Sequence, residues 1–482
     1  MLQTLKNAWR TPDIRKKIVF VLFILLLYRI GTVIPVPFVD AGNFSNAFGG
    51  TIFDYMNTLS GGALSTATLF ALGISPYITS SIVIQLLCVV FPNKLGSLGK
   101  DEAGKKKLNN LTRIITVVLA LVSAIGYYML LATERVDAAT GNSYTMVVPY
   151  AIKGGTSDGT WFLYAATIVI CFCAGAALIM WLAEKINENG LGNGISIILF
   201  ANIVGSTVSF AIQLGKIVYY AYLGQSAIGG KVLYTSLAVL FALVIAAVIL
   251  ALTVFVIFIT GSERRIPVQY AKRVVGRKMM GGQSSNLPIK LNMTGVMPII
   301  FASSIISLPT TIMTLAGANM NGFWYNLFAP SGVFYPIAEF LLIIGFAYFY
   351  VSISFDPVEV ANNLKKQGGM IPGIRQGRPT SDFIRKILNK VTLIGALFLG
   401  VIAILPIIAS PLFLEPLIRF FIGDYFTSVG MSAYVAQQAA SMASSFTFGG
   451  TSLLIVVGVA IETFRELEAQ LTMRNYKGFL GN

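Results

Sequence analysis

Side chains that could do covalent or metal chemistry are few in this sequence, and none stands in a suitable pattern. There is no histidine, and Cys88, Cys171 and Cys173 all lie inside apolar runs. A zinc site, a structural disulfide and a His-based catalytic triad are therefore unsupported. Nor does the chain hold a G-x-x-x-x-G-K-[ST] phosphate loop with which to hydrolyse nucleotide. What remains is cationic. The stretch GSERRIPVQYAKR, residues 261–273, sets Arg264, Arg265, Lys272 and Arg273 behind the most hydrophobic run of the chain, and MIPGIRQGRP, residues 370–379, adds Arg375 and Arg378. A guanidinium fork binds carboxylate and phosphate bidentately, so these groups suit holding a partner's anions rather than making or breaking bonds.

The elements that must position these cations are membrane spans. Of 482 residues, 55% are apolar and only 11% charged, and the mean hydropathy is +0.75, which places the chain among membrane proteins. Residues 236–260 carry no charge at all, and about 20 such residues cross a bilayer core as a helix. Hydropathy gives ten spans, at roughly 18–36, 76–91, 114–132, 161–183, 195–213, 236–260, 297–315, 336–355, 391–409 and 450–464. The first run carries Arg29 and ends in IPVPF instead of a small-residue cleavage site, so it is expected to stay as a span. With the N-terminus inside, 29 of the 35 Lys and Arg fall in cytoplasmic segments and five outside (Arg135, Lys153, Lys216, Lys231 and Arg419). The positive-inside rule then puts both termini in the cytoplasm. Much of the net charge of +15 is a one-sided coat that also attracts anionic membrane lipid.

Two loops exceed what topology needs. Residues 261–296 and 356–390 carry seven Lys or Arg each, mixed with apolar and turn residues. They read as folded, protruding docking surfaces. Residues 54–91 are odd in another way. Their first part is short and polar, with Ser60, Gly61, Gly62, Ser65 and Thr66, and Pro76 follows Gly73, so the expectation is a short re-entrant helix and then a span from about Pro76. Thr79, Ser80, Ser81 and Gln85 in span two, and FGGTSLL opening span ten, fit either a pore lining or polar glue between helices. Acidic residues are absent from span interiors, Glu339 and Glu462 lying near span ends, which weighs against a proton- or sodium-coupled transporter. Arg29 reads as a snorkelling or interhelical group rather than a substrate contact.

The blocks RRIPVQYAKR, GGALSTATLFALGISPYITSSIVIQLL, GLGNGISI, LPIKLNMTGVMPIIFASSI, NLKKQGGMIPGIRQGRPT and FGGTSLLIVVGVAIE closely resemble SecY, the channel subunit of the bacterial protein-conducting translocon, and recur in that family's order. The resemblance implies an all-α polytopic membrane protein of ten transmembrane helices, in two inverted five-helix halves around a central pore, with a re-entrant plug helix. It divides the chain into an N-terminal half, 1–213, an external hinge loop, 214–235, a C-terminal half, 236–470, and a cytoplasmic tail, 471–482. It maps the constriction ring onto Ile74, Ile78, Ile195, Leu199, Ile300 and Ile455. The plug is about residues 54–72, including Gly61, Gly62, Ala63, Leu64 and Leu69. A polar contact between Gln85 and Asn292 would join the lateral gate. Arg264, Arg265, Lys272, Arg273, Arg375 and Arg378 would dock SecA or the ribosome. The implied partners are SecE, SecG, SecA, the ribosome, signal sequences of preproteins and other membrane insertion factors, in a bacterial plasma membrane. No cofactor, metal or enzymatic activity is implied.

Read from the residues alone, each ring position also fits ordinary packing, since membrane helices are rich in Ile and Leu. The segment 410–449 is longer than the family pattern leads one to expect, and it should add an external helix or two. An ion or solute transporter would match the composition but leaves the basic loops and the re-entrant segment unexplained. An accessory translocon is a closer rival, with weaker basic loops expected of it. An intramembrane protease would need a serine with a base, or an aspartate pair, within spans, and none is there.

Overall fold

The computed structural model describes residues 2–40, 60–91, 102–133, 161–228, 233–270, 284–315, 334–428 and 449–479, with shorter stretches between them. The expected plug residues 54–55 and 58–59, together with Lys272 and residues 229–232 and 429–448, lie outside the described residues.

After a short amphipathic helix, Leu2–Arg10 (α1), each of the ten expected spans coincides with a helix. They are Pro12–Gly31 (α2), Ser75–Val90 (α3), Glu102–Ala132 (α4), Trp161–Asn189 (α5), Gly194–Ile228 (α6), Leu233–Gly261 (α7), Met297–Leu315 (α8), Phe334–Ser354 (α9), Arg378–Ala409 (α11) and Gly449–Phe479 (α13). Between α9 and α11 lies Pro357–Lys366 (α10), and beyond α11 comes Glu415–Ser428 (α12). Among the described residues six runs are long and apolar enough to cross a membrane, and Ser75–Val90 and Met297–Thr310 are shorter apolar helices.

Local sequence explains the boundaries. Helix α2 ends at Gly31 because I-P-V-P follows, and a residue before proline is pushed out of the α region. Pro76 does not break α3. It stands in the first turn, where its missing N–H has no intrahelical partner to lose. Asp356 caps α10, its Oδ1 accepting from the Val358 N–H at 2.8 Å, with Pro357 in the first turn and Lys365 and Lys366 in the last.

Helix α6 corrects one expectation. Residues 214–228, read as part of a hinge loop, continue the helix. The reason is tertiary: α12, from the long segment after span nine, packs against this extension. Ile418, Phe421 and Ile422 are buried with Ile217, Ala221, Ala238 and Ile245, and the rings of Phe421 and Phe241 stand 5.4 Å apart. Helix α7 is the reverse case. Only 11% of its most apolar window is buried inside the protein, so it presents its surface to lipid.

The two basic loops form a single structure. Strand Glu263–Tyr270 (β1) pairs antiparallel with Ser284–Lys290 (β4), from Glu263↔Lys290 to Gln269↔Ser284. Between them Arg273–Val275 (β2) and Lys278–Met280 (β3) make a second hairpin. The other edge of β1 takes Gly369–Met370 (β5) opposite Gln269 and Tyr270. Pro267 therefore sits where that edge is unpaired, the place a strand proline tolerates. Under the sheet Ile266, Val268 and Ile289 bury against Val351, Leu364, Ile371, Ile384, Ile387, Leu388 and Val391, which anchors both loops on α9, α10 and α11.

Candidate functional site

All six expected ring residues converge. Ile74 and Ile78 come from the start of α3, Ile195 and Leu199 from α6, Ile300 from α8 and Ile455 from α13. Five are buried, with Ile195 half-buried against them, in one cluster that also holds Ala63 and, half-buried, Leu69. Four helices and the segment after residue 60 thus point aliphatic side chains at one place. Such a surface offers a passing peptide neither hydrogen bond nor charge, and an apolar constriction excludes ions by dewetting.

Residues 61–74 lie against this cluster as a run of turns; of the expected plug helix, Met56, Asn57 and Ser60 are helical among the described residues. Gly61, Gly62 and Gly73 take positive φ, as does Ala67, and hydroxyls compete for the backbone. Ser65 and Thr66 both donate to the Gly62 carbonyl, and Thr68 donates to that of Ala63. The segment is tied in from several sides. Leu69 N–H donates to the Ile34 carbonyl at 2.9 Å, and Val36 N–H to that of Ala67 at 3.2 Å. Tyr127 of α4 donates to the Leu64 carbonyl at 2.6 Å. A Cβ on Gly175 of α5 would overlap the Leu69 carbonyl oxygen, so glycine there is what admits the segment. Ala63 and Leu64 are buried, Leu69, Gly61 and Gly62 half-buried.

The polar residues of span two divide by role. Ser80 is fully buried and donates to the Thr112 carbonyl of α4 at 2.7 Å, which makes it interhelical glue. Gly450 of α13 likewise packs against the Ile402 carbonyl of α11, a built Cβ standing 2.5 Å away. The expected contact between Gln85 and Asn292 is not formed. Gln85 Nε2 donates to Ser81 Oγ one helical turn away, at 3.2 Å, and Asn292 Oδ1 accepts from Thr294 at 3.3 Å. Each finds a local partner at helix or turn spacing, although α3 and α8 do pack together.

Among the described residues, the expected docking cations lie on or beside the sheet platform. Arg264, Arg265, Arg375 and Arg378 are exposed; Arg265 also pairs with Glu263 at 2.8 Å. Arg273 belongs to β2. Arg375 stands in a loop shaped by Gly373 and Gly377 at φ +79° and +96°, and its carbonyl accepts from Thr380 Oγ1 at 2.8 Å. Lys290, opposite Glu263 in the strand pair, is exposed as well; partial desolvation first, then the nearby Arg465, lowers its pKa below the usual lysine range.

The ring, the turn segment and the platform invite comparison with known proteins. The SecY family pattern matches residues 68–464, and the chain is 40% identical to the protein translocase subunit SecY of Streptomyces galbus over the full length of both. The chain belongs to the SecY family. It is a protein translocase subunit, a multi-pass membrane channel and not an enzyme. Identity to the SecY of Halalkalibacterium halodurans is also 40%, again over both full lengths. Among solved structures, one described as a protein conducting channel covers 94% of this chain and 91% of its own at 18% identity, TM-score 0.58. The Sec61 of a canine ribosome-channel complex covers the same shares at 16% identity, TM-score 0.54. Both share the fold.

Sequence reading missed the side chains that hold the turn segment, above all Tyr28, Tyr127 and Asn202. A signal existed. A tyrosine inside a span needs a partner for its hydroxyl, and a glycine inside an apolar helix, such as Gly175, marks close backbone approach.

Proposed function

We propose that this SecY-family subunit passes unfolded preproteins across a bacterial plasma membrane through the ring of Ile74, Ile78, Ile195, Leu199, Ile300 and Ile455, and releases membrane segments sideways between α3 and α8. In this reading the turn segment around Gly61, Gly62, Ala63, Leu64 and Leu69 is the plug of the resting channel. The halves are residues 1–213 and 236–470, and both termini face the cytoplasm. Gln85 and Asn292 flank the gate, each bonded to a near neighbour in the chain. The convergence of the six ring residues in one buried cluster beneath the turn segment carries the proposal.

Energy comes from outside, from SecA hydrolysing ATP or from synthesis on the ribosome. Arg264, Arg265, Lys272, Arg273, Arg375 and Arg378 face those partners, and SecE and SecG complete the membrane complex. Support for a ribosome comes from the solved channels, since both the canine Sec61 complex and the yeast Ssh1 complex are described as ribosome-bound. The joining of both basic loops in one platform supports a single docking face.

The test is electrical. Changing Ile78 and Ile300 together to Gly should raise the resting ion conductance of the reconstituted complex in planar bilayers, because the apolar seal is widened. Conductance equal to that of the unmodified channel would reject the ring.

A further inference from the structure

Arg29 is the one Lys or Arg among the expected span interiors, and the structure gives it a specific place. Its Nη1 donates to the Gly61 carbonyl at 3.2 Å. A Cβ on Gly205 of α6 would overlap its Nη2, and a Cβ on Gly61 would stand 3.0 Å from Nη1 and 2.8 Å from Asn202 Oδ1. Two glycines from different elements therefore flank one guanidinium: a side chain on Gly205 would displace it, and one on Gly61 would crowd it and overlap Asn202 Oδ1. Gly61 is also held at φ +70°, where only glycine is unstrained. Next to Arg29 in sequence, the buried Tyr28 donates to the Ser60 carbonyl at 3.4 Å and accepts from Asn202 Nδ2 at 2.8 Å. The last turn of α2 and residues 202–205 of α6 thus grip carbonyls 60 and 61 together.

Arg29 belongs to none of the ion pairs among the described residues. Its partner is a neutral carbonyl, which a water molecule can replace. A cation at membrane depth is expensive unless something satisfies it, and here the acceptor is the mobile-segment candidate itself. While the turn segment is docked, the guanidinium is bonded. Arg29 is otherwise exposed, so once the segment leaves, the donor loses this fixed acceptor and is left to its surroundings. A charge-assisted hydrogen bond is the stronger kind, and an acceptor on the closing element makes closure and satisfaction of the charge one event.

We infer that Arg29, seated between Gly205 and Gly61, is the latch that holds residues 60–71 in the closed position. It is a positioning residue that touches no translocating chain. The inference rests on the reading of this segment as the channel's plug.

The test uses the whole translocon complex reconstituted in planar bilayers, with parallel export assays. Arg29→Gln removes the charge. Gly205→Ala keeps Arg29 but evicts its guanidinium, so both should raise resting open events about tenfold, as loss of one charge-assisted bond implies. Both should improve export of a reporter with a weakened signal sequence while leaving an intact-signal reporter within about twofold. Arg29→Lys, which keeps the cation, should fall between Arg29→Gln and the unmodified channel. A merely structural role would instead lower export of both reporters, and that result would overturn the latch. So would silent channels in both variants when Ile78→Gly with Ile300→Gly does conduct. If the ring variant is silent as well, the closure reading fails first and takes the latch with it.

Discussion

Tyr127→Phe isolates one tie on the turn segment. Tyr127 and Leu64 are each 3% exposed, and the hydroxyl donates to the Leu64 carbonyl at 2.6 Å. Phenylalanine keeps the edge-on contact with Phe172, whose ring centroid lies 5.0 Å away, so packing is conserved and only the O–H is lost. Leaving a buried acceptor unsatisfied costs about 1–3 kcal/mol. Here the carbonyl also accepts from the Ala67 N–H at 3.2 Å, so the lower part of that range applies, about 1–1.5 kcal/mol. At 1.4 kcal/mol per tenfold, the undocked population should rise roughly 5- to 12-fold. Hydrogen exchange reads this directly: amides of Leu64, Thr68 and Leu69 should exchange faster by that factor, with those in the middle of α5 unchanged. Resting open events in planar bilayers should rise in parallel. Unchanged exchange at these amides, with the protein intact, would refute the claim that side-chain donors hold the segment.

Two further outcomes concern the platform and the gate. Arg375→Glu reverses an exposed charge in a loop held by Gly373, Gly377 and the Thr380 hydroxyl; it should abolish SecA-driven transport into vesicles while leaving insertion and thermal midpoint unchanged, and normal transport would remove Arg375 from the docking face. Because Gln85 and Asn292 bond locally, Gln85→Leu and Asn292→Ala should act additively on export of a weak-signal reporter, with coupling below about 0.5 kcal/mol; a larger coupling would restore the direct contact.

Span positions, the basic loops and the family were legible from sequence because each rests on local pattern. A bilayer demands about 20 apolar residues in a row, and charge bias between loops needs only counting. Ring residues were legible only through family motifs. Ile300 and Ile455 differ in no local respect from the dozens of aliphatic residues that face lipid.

What only the tertiary structure decided is which polar group meets which. The sequence determined that Arg29 would sit in a span, Tyr127 in another and Gly61 in a turn-prone segment. It could not say that the first two reach the carbonyls of the third element's neighbourhood across 32 and 63 residues. Likewise residues 214–228 look like a loop from hydropathy, and they are helical because α12, about 200 residues later, buries Ile217 and Ala221. Hydropathy reports transfer of each residue to lipid, one position at a time. A hydrogen bond or a buried face depends on the partner that packing brings, and in a membrane, where lipid and protein interior are equally apolar, the pattern of hydrophobic residues carries little information about that partner.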